Sequence, residues 1–210
     1  MLVARTVGGL EETDDAVRAA GGSATLVPLD LREFGKIDEL GAALYERYGR
    51  LDILVGNAAE FGVLSPLGHI DPRLWSAIVE LNLTANWRLV RAMDPLLRAA
   101  PAGRAIFVTS HLARDALPYY GAYAVAKAGL EALVRIYAGE VAGTAVRANL
   151  IDPGVVRSRL RGLIFPREDP ATLPGPETVA DAFFDLALPE CTMNGEIVTL
   201  APAAPDQRGA

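Results

Sequence analysis

A chain of 210 residues with 51% hydrophobic side chains can bury one sizeable core, and a single domain is expected. Its formal net charge of −6 supplies no basic excess to neutralise phosphates, which argues against nucleic-acid binding. The lone cysteine, Cys191, excludes an intrachain disulfide and a four-cysteine metal site, so no metal centre is expected.

No apolar run approaches the roughly 18 residues of a membrane span, and no basic, then continuously apolar, leader opens the sequence. A cytoplasmic protein without membrane partners is expected. In chain order, Leu2–Val3–Ala4 reads as the end of a strand. Thr6 to about Ala20 reads as a helix capped by Thr6 and stopped by Gly21–Gly22. Ala24–Leu29 is a strand, Glu33–Tyr48 a helix ended by Gly49, and Leu51–Val55 a short buried strand. Asp71 and Pro72, an N-cap and a first-turn proline, start a long helix that runs to about Ala99. Arg104–Thr109 is a strand, Tyr119–Ala142 a helix, Val146–Ile151 a strand, Pro176–Ala187 a helix and Ile197–Leu200 a last strand. Residues 165–176 are proline-rich and read as a loop, and 201–210 as a disordered tail after a single domain over 1–200.

Strands alternating with helices predict an α/β fold, a doubly wound parallel sheet covered on both faces. Ligands bind beyond the carboxyl ends of such strands. Here those ends are Ala4–Arg5, Asp30, Gly56–Ala59, Ser110 and Asp152–Gly154.

One helix carries a reactive pair. Tyr123 and Lys127 are four residues apart and share a face, and Ser110 ends the preceding strand. A free phenol has a pKa of about 10, and a neighbouring ammonium is expected to lower it. Such a set provides a proton donor and acceptor beside a hydroxyl that can hold a substrate oxygen, which suits interconversion of an alcohol and a carbonyl. Only Lys36 and Lys127 among 20 basic residues are lysines, which marks Lys127 as a position needing a compact ammonium. A hydrolase built on Ser110 and His111 is disfavoured, because neighbours at a strand end point apart and no G-x-S-x-G elbow occurs.

Taken in order, these residues resemble the short-chain dehydrogenase/reductase family over nearly the whole chain. GNAA (Gly56–Ala59) resembles the family's N-N-A-G, and LNLTAN (Leu81–Asn86) its V-N-L segment. Ser110, Tyr123 and Lys127 match its Ser–Tyr–Lys set, and DPGVVRS (Asp152–Ser158) resembles its P-G-x-x-x-T loop. The resemblance implies a Rossmann-like fold and hydride transfer with NAD(H) or NADP(H). It implies Tyr123 as general acid/base, Lys127 lowering the phenol's pKa and binding the nicotinamide ribose, Ser110 on the substrate carbonyl, and Asn82 holding a relay water. It further implies Asp30 and Leu31 on the adenine and Asn57 and Ala58 on its ribose. Pro153, Gly154, Val156 and Ser158 would lie under the nicotinamide. Arg5, at the end of the second family strand, matches members that grip the 2′-phosphate of NADP(H) and tilts the expectation that way. A small carbonyl or alcohol substrate is implied, partly apolar given Leu160, Leu163, Ile164 and Phe165 in a covering loop. A homodimer or homotetramer through helices 71–99 and 119–142 is implied as well.

Gly56, Ala59 and Ser158 stand where the family has Asn, Gly and Thr. A larger departure lies at the start, where the family's first strand, T-G-x-x-x-G-x-G turn and first helix are missing. Gly8–Glu12 (GGLEE) opens the helix after the second strand and is not that turn. The expectation is a chain short of about 30 residues of βα unit, its start codon assigned too late and its activity impaired. The missing strand belongs mid-sheet, so two unpaired edges are expected. The competing reading is a cofactor-less relative that serves as an interaction or oligomer subunit.

Overall fold

The computed structural model describes residues 1–200; the expected tail, 201–210, lies outside the described residues. β1 (Leu2–Ala4) leads into α1 (Val7–Ala19), β2 (Leu26–Pro28), α2 (Phe34–Tyr48) and β3 (Ile53–Gly56). After a long loop come α3 (Pro72–Val79), a π turn (Glu80–Thr84) and α4 (Ala85–Ala99). β4 (Arg104–Val108), α5 (Leu112–Asp115), α6 (Gly121–Val141) and β5 (Arg147–Asp152) follow. The remainder is α7 (Arg159–Ile164), two 3₁₀ turns, α8 (Ala180–Ala187) and β6 (Ile197–Thr199).

All strand pairs are parallel, as the βαβ alternation requires, and they form two sheets. Among the described residues β1 pairs only with β2, while β3, β4, β5 and β6 form the second sheet in that order. β1 and β3 therefore each carry an open edge. Apolar residues show the consequence: Ile53 and Val55 of β3 are 44% and 45% exposed, whereas residues 104–107 of β4 and 148–152 of β5 are buried. One face of the larger sheet packs Phe107 and Leu150 against Leu89, Met93, Leu130 and Val134 of α4 and α6. On the opposite face Ile106 and Ile151 meet Leu186 of α8, with Cys191 half-buried against them. Among the described residues no helix is long and apolar enough to cross a membrane.

Local chemistry explains most boundaries. Asp71 accepts from the Arg73 and Leu74 amides at 2.9 and 3.2 Å ahead of Pro72, and Gly49 closes α2 at φ 69°. Three expectations are corrected. Thr6 occupies the N-cap position of α1 in extended backbone, but its hydroxyl makes no capping bond. The helix expected over 71–99 is broken by the π turn, where Asn82 Nδ2 donates to the Ile78 carbonyl four residues back, at 2.9 Å. The loop expected over 165–176 follows a short helix, α7, and contains the 3₁₀ turn Pro170–Thr172.

Candidate active site

A cleft of about 1380 Å³ opens at the carboxyl ends of β3, β4 and β5. Asn57 and Ala58 line it after β3, Ser110 after β4, and Pro153, Gly154, Val156 and Ser158 after β5. Tyr123 and Lys127 line it from α6. Nine sequence-selected residues thus meet in one cavity. Arg5, Asp30 and Leu31 are not among its lining; they sit at the ends of β1 and β2. Asn82 is fully buried in the π turn.

Tyr123 is 8% exposed and packs on Phe61, ring centroids 5.1 Å apart, within a cluster completed by Leu112. Burial pushes its phenol up to about 12; the Asp152 carboxylate adds to the rise, and the Ser110 hydroxyl opposes it. This reverses the expected direction. Lys127 lies 5.6 Å from the Tyr123 ring centroid but directs its ammonium to the Val108 carbonyl at 2.7 Å. Its own pKa is lowered from 10.5 to about 8 by complete burial.

That shift has a measurable consequence. Between about pH 8 and 10.5 the unfolded chain holds a proton that folded Lys127 has released, so stability from this group rises with pH. Wild type is expected to gain about 1–2 kcal/mol relative to Lys127→Met between about pH 7.5 and 9.5. Urea denaturation at both pH values measures the difference, and a flat difference refutes it.

Asn82 Nδ2 also donates to the Glu60 carbonyl at 2.8 Å, tying the loop after β3 to the π turn. Its Oδ1 is buried without a protein partner among the described residues. Ser158 caps α7 by accepting from the Arg161 amide at 3.1 Å, so its hydroxyl oxygen is already engaged. Leu160, Ile164 and Phe165 line the cleft, whereas Leu163, expected with them, is 72% exposed.

Sequence reasoning missed Arg32. Its guanidinium reaches Asp30 Oδ2 at 2.7 Å, and its amide reaches Oδ1 at 3.0 Å. These bonds hold the Asp30 carboxyl below its ordinary value. Arg5 lies 3.9 Å from the same carboxylate. The only sequence signal was an Asp two residues before an Arg at a strand end.

Residues 2–168 match the family model described as enoyl-(acyl carrier protein) reductase. The uncharacterized oxidoreductase YciK of Escherichia coli (strain K12) is 32% identical over 141 residues, 67% of this chain and 56% of that protein. A short chain dehydrogenase from Pseudomonas syringae superposes with a TM-score of 0.90 at 32% identity, covering 94% of this chain and 82% of that one. The chain belongs to the short-chain dehydrogenase/reductase family. A second family structure, from Escherichia coli CFT073 and complexed with NADPH, is 27% identical with a TM-score of 0.89, covering 96% of this chain and 85% of that one. An NAD-dependent oxidoreductase of Mycobacterium tuberculosis, Rv0687, is 34% identical over 145 residues, 69% of this chain and 52% of that protein. The chain thus spans little more than half the length of the curated relatives YciK and Rv0687.

Proposed function

We propose that this chain is an NAD(P)-dependent oxidoreductase of the cytoplasm that interconverts an alcohol with a ketone or aldehyde, with Tyr123 moving the proton on oxygen. The convergence of Ser110, Tyr123 and Lys127 on one cleft at the strand ends carries the reading. A bound dinucleotide would supply the hydride donor for the carbonyl carbon, or the hydride acceptor for the alcohol. Ser110 holds the substrate oxygen. The protonated phenol donates to that oxygen in reduction, and Lys127, titrating near 8, resupplies the proton. Asn82 Oδ1, a buried acceptor without a partner among the described residues, suits a water that feeds Lys127.

The residues present fit the dinucleotide at its two ends. Gly154, at φ 67°, lets backbone pass close under a nicotinamide, alongside Pro153, Val156 and Ser158. Asn57 and Ala58 suit the adenosine ribose, and Leu31 and the ionised Asp30 suit the adenine. Arg5 and Arg32 both lie against the Asp30 carboxylate, and two guanidinium groups at the ends of β1 and β2 support a preference for NADP(H). The family's T-G-x-x-x-G-x-G turn, which would hold the diphosphate, does not occur among the described residues.

The test is cofactor oxidation by this chain across a panel of ketones and aldehydes. Carbonyl-dependent turnover faster with NADPH than with NADH is expected. Tight cofactor binding with no turnover across the panel overturns the reading.

A homodimer or homotetramer through α3, α4 and α6 belongs to the same reading. A groove between α4 and α6 is lined by Leu83, Trp87, Leu133 and Ile136, and Trp87 and Ile136 are 45% and 63% exposed. Ile136→Glu is expected to weaken self-association at least about 100-fold by sedimentation, since it buries an unpaired charge. An unchanged molecular mass disproves this interface.

A further inference from the structure

Two buried carboxylates, neither placed to bind substrate or cofactor in the proposed reaction, share a single cation. Glu131 is 3% exposed and Asp152 1%. Both accept from one side chain: Arg114 donates through Nη1 to Glu131 Oε1 and through Nη2 to Asp152 Oδ2. Thr109, next to Ser110, donates to Glu131 Oε1 at 2.9 Å, and Arg135 reaches Glu131 Oε2 at 3.4 Å. The second oxygen of Asp152 accepts from the Gly154 amide at 3.2 Å.

Three segments meet at this guanidinium. Arg114 lies in α5, four residues after Ser110. Glu131 lies in α6 one turn beyond Lys127, itself one turn beyond Tyr123. Asp152 ends β5 and fixes the turn that begins the 153–158 segment. A planar guanidinium can hold two carboxylates at once in fixed directions, which a lysine ammonium cannot do. We propose that Arg114 is a positioning residue: its bridge between Glu131 and Asp152 sets the Ser110 loop and the 153–158 segment against the helix that carries Tyr123 and Lys127. Its catalytic consequence rests on the function proposed above; the bridge itself does not.

Backbone amide exchange on the full chain tests the bridge directly. Arg114→Ala is expected to speed exchange at least about 10-fold in residues 111–115 and 153–157, with amides of β4 and α6 within about twofold of wild type. Added guanidinium ion is expected to reverse most of that change, which a general packing defect would not allow. Arg114→Lys is expected to fold and to show intermediate exchange in both segments. Glu131→Gln is expected to loosen 111–115 and spare 153–157, because the Arg114–Asp152 bond remains. Unchanged exchange in Arg114→Ala, or loss in both segments that guanidinium does not recover, overturns the proposal. Where Arg114→Ala fails to fold, wild-type exchange in Arg114→Lys, or equal loosening of both segments in Glu131→Gln, overturns it instead.

In turnover, Arg114→Ala is expected to lower kcat about 10- to 100-fold while the carbonyl KM stays within about threefold. Tyr123→Phe separates the two claims. Its full retention of turnover defeats the functional reading and leaves the exchange result standing.

Discussion

Replacing Tyr123 by Phe is expected to lower carbonyl turnover by about 10³-fold, within the range that a positioned acid or base contributes. The phenyl ring keeps its place against Phe61 and Leu112, so only the hydroxyl is lost. Folding stability is expected to change by less than about 1 kcal/mol, the net worth of one hydrogen bond. The environment of the phenol supports the proposed role. Burial and the Asp152 carboxylate hold it protonated up to about pH 12, so at neutral pH it can donate a proton without being recharged first. Its supply line titrates lower. Lys127 loses its proton near pH 8, and reduction is expected to decline above that value while the phenol is still intact. Steady-state rates for wild type and variant, with unfolding midpoints for both, check the claim. Turnover within tenfold of wild type at unchanged stability would remove Tyr123 from the chemistry.

Most of what positions this site was legible as pattern. Apolar runs such as RAIFV and ANLI announce buried parallel strands, and the Y-x-x-x-K spacing puts two side chains on one helical face whatever surrounds them. The two unpaired strand edges were legible too, from motif order, and they appear in the separate β1–β2 pair and the exposed Ile53 and Val55. What escaped depends on where polar atoms find partners. ELNLT has ordinary helical periodicity, so nothing in it reveals that Asn82 Nδ2 takes the Ile78 carbonyl and that a π turn results. The direction of the Tyr123 shift was misjudged because spacing gives the distance to Lys127 along the chain, not the burial of both groups or the Val108 carbonyl that engages the ammonium. Arg114, Glu131 and Asp152 belong to three elements whose convergence is a property of the fold. A carboxylate on the buried face of α6, one turn past Lys127, was the single hint that a cation had to meet it.

The second large effect expected is on stability, at Gly56. This glycine stands where the family pattern has Asn, a departure that by motif alone looks tolerable. The packing explains why glycine is required there. A Cβ on Gly56 would collide with the Phe107 ring, lying 2.8 Å from Cε1 and closer still to Cδ1, and would lie 2.6 Å from Asn86 Oδ1. Phe107 is fully buried and Asn86 is 3% exposed, so neither neighbour is the free end of a mobile side chain. Asn86 is held in turn by its Nδ2 bond to the Asn82 carbonyl at 2.9 Å, so displacing it strains the π turn. The amide that α4 contributes thus fills the space a side chain at 56 would need. Gly56→Ala is expected to cost about 2–3 kcal/mol, as overpacking a closed core does, and Gly56→Asn, which restores the family residue, is expected to cost more. The double variant Gly56→Ala/Asn86→Ala is expected to recover at least about 1 kcal/mol relative to the sum of the singles, because one clash has been removed from the pair. Urea unfolding of the four proteins measures the coupling. Additive losses would mean that Phe107 alone sets the limit, and a neutral Gly56→Ala would mean that the end of β3 yields freely, as an open sheet edge could.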